Sequence, residues 1–265
     1  MYSDIINFLS GNGRWSIAVL HAYLDEAGTH DGAPILCVAG YVGNRRQWGT
    51  FEKEFLPQLK GSGQACFHAV DSSCDRLRLS LASAIDKCNF IGVIYSVKPD
   101  VFNSLAPANL KREMGNAYAI CSVYCAMVIF RIAHAMKLGP ISFVYEAGQP
   151  NDELVLRSLK TLQLHQDPKM PIAAVTLGTK KDNLPLAAAD FLSHVCGTHT
   201  YNETDRDWYN YLTRNGRILH EQLTKKRLIE TSKIVDEYLD IRCKTKEEKK
   251  IMRFMEKYNS MIKRS

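Results

Sequence analysis

Two periods of apolar residues alternate along this chain, and the switches between them mark its elements. Residues 17–24 (IAVLHAYL) are a short run of strand formers that ends on the acidic pair Asp25-Glu26. Turn residues fill 27–32, and 34–42 (PILCVAGYV) predicts a second strand. Two such runs across a glycine-containing loop predict a hairpin. In 45–59 the apolar positions Trp48, Phe51, Phe55 and Leu59 fall at helical spacing, and in 74–88 Leu77, Leu81 and Ile85 do the same. Between them, Phe67-His68-Ala69-Val70-Asp71 is a short extended piece. Residues 90–97 (FIGVIYSV) predict a third strand. Residues 117–137 are apolar nearly all round, the mark of a buried helix, which Gly139-Pro140 ends. A fourth strand, 141–145 (ISFVY), delivers Glu146 at its end. Asn151 or Asp152 is placed to cap a helix reaching about residue 165. A fifth strand at 171–177 (PIAAVTL) precedes a helix over 184–196 that carries Asp190, and from about Asp205 the chain is helical and increasingly charged.

No internal repeat or low-complexity linker interrupts the 265 residues. The pattern therefore predicts one α/β domain over 15–200, built on a five-stranded sheet flanked by helices, with a helical, basic C-terminal extension over 201–265. Hydrophobic residues make up 46% and charged residues 23%, which excludes a chain that is mainly disordered. The formal charge of +6 is unevenly placed: residues 241–265 hold nine Lys/Arg against three Glu, so the other 240 residues are formally neutral. That segment, with Lys249, Lys250 and Arg253, suits a polyanion such as nucleic acid. Ile251, Met252, Phe254 and Met255 recur near helical spacing, so a solvated amphipathic helix capping the domain is the competing reading. The eight cysteines form no CxxC pair, and Cys121 and Cys125 lie one turn apart in an apolar run. No signal peptide is visible, and the longest apolar run, 118–132, is short of the roughly 20 residues that span a bilayer. The expectation is a cytoplasmic chain with reduced thiols and no membrane span; assembly into a homo-oligomer is left open.

Three acids end or sit on separate elements: Asp25, Glu146 and Asp190. Asp190 lies in LPLAAADFL, apolar on both sides, and a carboxylate on so apolar a helix is costly to bury unless it is paired or metal-bound. Adjacent residues in a strand face opposite ways, so of Asp25 and Glu26 the first is taken as the ligand and the second as an assisting or solvated acid. Carboxylates that converge from separate elements hold hard cations, Mg²⁺ or Mn²⁺, which activate water at a phosphodiester. His68 and Asp71 are candidate assistants, His68 as a proton shuttle. Lys180 and Lys181, before the Asp190 helix, are candidate contacts to a nucleic-acid phosphate. His194, Cys196 and His199 match no standard zinc-finger spacing, and no GxSxG elbow is present.

The segment from Tyr23-Leu24-Asp25-Glu26-Ala27-Gly28 to Asp31, then Val38-Ala39-Gly40-Tyr41-Val42, then Trp48 and Phe51, resembles the opening of the family called domain of unknown function 3800. The Phe67 to Asp71 piece, Phe143-Val144-Tyr145-Glu146-Ala147-Gly148 and the stretch from Lys180 to Leu192 are similar to its later motifs, in the same order. The resemblance covers about residues 23–194. It implies a ribonuclease H-like fold, which the order of three early strands followed by strand–helix alternation also suggests, with a mixed sheet. It further implies a metal-dependent nuclease with Asp25, Glu26, Glu146, Asp190 and His68 at its centre, acting on RNA or DNA. The family's Gln, three residues before the late Asp, is Ala187 here. That departure keeps a second expectation in view: a ribonuclease H-like module that binds nucleic acid or protein without cutting.

Overall fold

Six strands form one mixed sheet in the computed structural model, in the order β5-β4-β1-β2-β3-β6. The structure describes residues 19–30, 32–70, 75–135, 138–149, 152–164 and 172–242. The strands are β1 Leu20–Ala27, β2 Leu36–Asn44, β3 Ile91–Val97, β4 Ile141–Glu146, β5 Ile172–Gly178 and β6 Ile218–Gln222. β1 and β2 make the expected hairpin, from Leu20 opposite Asn44 to Ala27 opposite Cys37. β2 also pairs antiparallel with β3, whereas β4 lies parallel to β1, β5 parallel to β4 and β6 parallel to β3. β2 is thus the strand that runs against the others. This is an α/β mixed sheet flanked by helices, with a sixth strand beyond the five that the apolar pattern predicts. The extra strand, β6, falls among residues expected to be helical.

The helices are α1 Arg45–Gly61, α2 Asp75–Cys88, α3 Pro99–Leu105, α4 Ala108–Met114, α5 Ala117–Ala135, α6 Asp152–Leu164, α7 Leu186–Thr198, α8 Glu203–Thr213 and α9 Lys225–Arg242. α5 is buried on most sides because it lies on one face of the sheet and is itself covered. Ile120, Cys121, Cys125 and Ile129 join Leu24, Val38, Val93 and Phe143 in one core. α7 lies on the other face, where Ala188, Phe191, Leu192 and Val195 meet Cys37, Ala39 and the α1 side chains Trp48, Phe51 and Phe55. The alternation of β1 follows from this sandwich: Leu20, Ala22 and Leu24 belong to the α5 face, and Tyr23 and Ala27 pack with the α7 face. α1 starts from a capping box in which Asn44 and Gln47 satisfy each other's backbone N–H groups. The Trp48 indole then donates to the His21 carbonyl at 2.9 Å, pinning the helix to β1.

Gly28 closes the hairpin at a φ of +79°, and a Cβ there would stand 1.9 Å from the Ile35 carbonyl oxygen. Only glycine allows both, so this residue sets how β1 ends just past its acidic pair. Among the described residues no helix is long and apolar enough to cross a membrane. Cys37, Cys66, Cys88, Cys121, Cys125 and Cys196 are free thiols.

Candidate active site

The parallel pairing of β1 with β4 runs to Leu24 opposite Tyr145. The next residues on the two strands are Asp25 and Glu146, so two carboxyls stand side by side at the ends of neighbouring strands. Alternation along the strands turns both toward α7, away from the α5 core that takes Leu24 and Tyr145. Asp190, on the second turn of α7, completes the group. The three acids come from three elements that hydrophobic packing presses together, so their convergence follows from the core and not from mutual attraction.

One cation holds them. The Lys180 ammonium lies 2.7 Å from Glu146 Oε2, 3.3 Å from Asp190 Oδ2 and 3.5 Å from Asp25 Oδ2, with its side chain only 9% exposed. Lys180 sits on the turn after β5, where the Thr179 hydroxyl donates to Asp182 and the Asn183 N–H donates to the Thr179 carbonyl at 2.8 Å. Backbone N–H groups hold two of the acids as well. Asp25 Oδ1 accepts from the Glu26 N–H at 2.8 Å, and Asp190 Oδ2, the oxygen that faces Lys180, also accepts from the Ala69 N–H at 2.9 Å.

Burial is the largest influence on Asp25, which is 3% exposed. It pushes the carboxyl well above the usual carboxylate range; Glu26, Asp190 and Glu146 add to it, and Lys180 opposes it. Burial also raises Asp190, against the pull of Lys180 and the Ala69 N–H. Lys180 is held above the ordinary lysine value by its three carboxylates, against a burial cost that pulls the other way. Glu26 is the odd member. Strand alternation sends it toward α5, where burial, then Glu146 and Asp152, raise its carboxyl to about 8. Its Oε2 is buried without a hydrogen-bond partner among the described residues, as is the Tyr118 hydroxyl nearby.

The segment carrying Ala69 is fixed from behind by a buried ion pair that the sequence pattern does not reveal. The Arg78 guanidinium donates to the Ala69 carbonyl and lies 3.4 Å from Asp205 Oδ1. Asp205 in turn accepts from the Thr198 hydroxyl at 2.8 Å and lies 3.4 Å from His194 Nε2. α2, α7 and α8 therefore share one polar network whose outer end aims a backbone N–H at Asp190.

Other expected residues lie elsewhere. His68 is exposed, its Nε2 3.3 Å from Cys66 Sγ, and it reaches the carboxylates only through the backbone of its neighbour Ala69. Lys181 is exposed, unlike Lys180. The His199 Nδ1–H donates to the Cys196 carbonyl, 2.6 Å away, and the ring stacks on Tyr209. Asp71, Lys249, Lys250 and Arg253 lie outside the described residues. Ala187 is buried in the apolar cluster under α7. No group of three His, Cys, Asp or Glu among the described residues is arranged to hold a metal ion. The donor set nevertheless suits a hard cation: three carboxylates already share one ammonium at hydrogen-bonding and ion-pair distances.

No protein-family model matches the chain, and no curated protein matches it. Solved structures do. A chain of the PCNA:RNase HII complex from Archaeoglobus fulgidus is 18% identical, with a TM-score of 0.40, over 72% of this chain and 79% of its own length. Bst-RNase HIII in complex with Mn²⁺ is 14% identical, with a TM-score of 0.42, over 72% of this chain and 55% of its own length. These are likenesses of fold. The resemblance to domain of unknown function 3800 rests on the motif residues alone.

Proposed function

We propose that this chain is a divalent-metal-dependent phosphodiesterase that hydrolyses nucleic acid, with Asp25, Glu146 and Asp190 as its metal-holding carboxylates. One observation carries the reading: a buried carboxylate from β1 and two half-buried ones from β4 and α7 meet at a single cation position. So many acids in so little space are expensive unless a cation is meant to be there. Mg²⁺ or Mn²⁺ bound there supplies a Lewis acid that activates water and stabilises the leaving oxygen of a phosphodiester. The protein's own part is to fix the donors. The Glu26 N–H orients Asp25, and the Ala69 N–H, held by Arg78, orients Asp190. Glu26 stays protonated at neutral pH on the α5 side and supports β1 from there. Exposed Lys181 lies beside the site, and Lys249, Lys250 and Arg253 are assigned to the strand's phosphates by charge.

The test is cleavage of labelled single- and double-stranded RNA and DNA in Mn²⁺ and in Mg²⁺. Asp25→Asn and Asp190→Asn are expected to lose cleavage by about a hundredfold or more while keeping the native circular dichroism spectrum. Full cleavage by both purified variants removes the proposed centre. A second reading, a binding module that does not cut, is favoured by Ala187 in place of an amide one turn before Asp190. Tight nucleic-acid binding with no metal-dependent turnover in the wild type selects it.

A further inference from the structure

The ammonium of Lys180 stands among the three carboxylates. Its Nζ lies 2.7–3.5 Å from an oxygen of each acid, and among the described residues no three donors are arranged to hold a metal. We propose that Lys180 is the resident counter-ion of this cluster and that a divalent cation enters only by exchange with its ammonium. This rests on the metal-dependent reading above and adds the manner in which that site is loaded.

The structure gives the exchange its physical basis. Packing of β1, β4 and α7 brings the acids together whether or not a cation is present, and mutual repulsion at this depth is large unless something positive stands among them. Lys180 meets that need in the metal-free chain. It does so on a long, flexible stem rooted in a turn tied by its own hydrogen bonds, Thr179 to Asp182 and Asn183 to Thr179. The ammonium therefore leaves by rotation of the stem, and neither the turn nor the sheet has to open. Lys181, one residue on, points into solvent and is no competitor for the position. A site occupied by its own lysine binds metal more weakly than an empty one, in proportion to the fraction of time that the lysine is away.

Two measurements on the full chain test the proposal. In the first, Mn²⁺ is titrated calorimetrically into wild type and Lys180→Met. The expected result is about tenfold or tighter Mn²⁺ binding by the variant, because its competitor is gone. Equal or weaker binding by the variant overturns the exchange and leaves the metal-dependent reading standing. Absence of Mn²⁺ binding in both proteins, with the variant folded by circular dichroism, overturns the exchange together with that reading. In the second, wild type alone is acetylated by a short pulse of an amine-reactive ester, with and without Mn²⁺, and Lys180 is followed by peptide mass spectrometry. This measurement decides the question if Lys180→Met fails to fold. Lys180 is expected to be protected without metal and modified several-fold faster with it, while Lys181 is unchanged. Equal modification of Lys180 in both conditions overturns the proposal.

Discussion

The carboxyl of Glu26 lies on the α5 side of β1, 8% exposed, with an oxygen that no described residue satisfies. Its affinity for a proton is raised from 4.5 to about 8 by burial first and by Glu146 and Asp152 after it. A carboxyl whose folded value is raised gives stability that is fully present below its unfolded value and lost as pH rises through the folded one. In metal-free protein the Glu26 contribution is therefore complete at pH 4.5 and gone above about pH 8. The loss is at most about 1.4 kcal/mol per pH unit for one proton. Glu26→Gln keeps the shape and removes the titration. Its stability relative to wild type should climb between pH 5 and 9, read from urea midpoints with EDTA present. Parallel curves for the two proteins would show that Glu26 is not the titrating group. Arg78 makes a different prediction at the same scale. Arg78→Met leaves Asp205 buried beside His194 without its guanidinium, a loss of about 3–5 kcal/mol by denaturation. The double variant Arg78→Met/Asp205→Leu should lose less than the single one, because no charge is then stranded.

α7 shows how far an element can be read from its residues. Its apolar run places it in the interior, and that is why Asp190 stands out as an acid needing a cation. The same run shows no room for change one turn earlier. Ala187 is 1% exposed and packed in the cluster that holds Phe191 and Leu192. Ala187→Gln, which supplies the amide found in the resembled family, should therefore destabilise the chain by about 1–3 kcal/mol through overpacking. A thermal melt checks it, and an unchanged or raised Tm contradicts the packing argument. The strands were equally legible where they are central: β1, β3 and β4 read as apolar runs because helices cover both faces. β6 was not, since ILHEQ is short, sits at an edge and carries His, Glu and Gln. Its residues are stabilised by pairing with Gly92 to Ser96, distant in sequence, and by Ser96 and Tyr209 around His220. Lys180 was legible only as a lysine next to Lys181; which of the two turns inward depends on the turn at Thr179 and on where three acids from other elements converge. Arg78 was hidden for a similar reason, because its partner Asp205 lies far along the chain and its neighbours Leu77 and Leu81 make it look like a solvated position on an amphipathic helix.

At the scale of the molecule, the residues after 200 are woven into the layers on both sides of the sheet. β6 extends the sheet beyond β3, and α8 brings Asp205 to Arg78 and Trp208 to Phe191 on the α7 side. α9 returns to the α5 side, where Ser232 bonds Asn109 and Thr231 meets the Tyr124 hydroxyl. A boundary near residue 200 therefore cuts hydrogen bonds of a sheet, a buried ion pair, a ring contact and two side-chain hydrogen bonds at once. Removal of 201–265 would expose the β3 edge, leave Arg78 without Asp205 and uncover Tyr95, whose hydroxyl donates to Glu221 at 2.9 Å. An unpaired strand edge beside apolar surface invites association. A chain ending at residue 200 is expected to be aggregated, or to lose the cooperative thermal transition of the full chain. Because Arg78 holds the Ala69 carbonyl and Ala69 orients Asp190, the same cut should loosen the candidate site from some distance. Light scattering and a melt of the truncated chain decide it. A monomer that melts cooperatively near the full-length Tm would mean that residues 15–200 stand alone and that the polar network through Asp205 is dispensable to the fold.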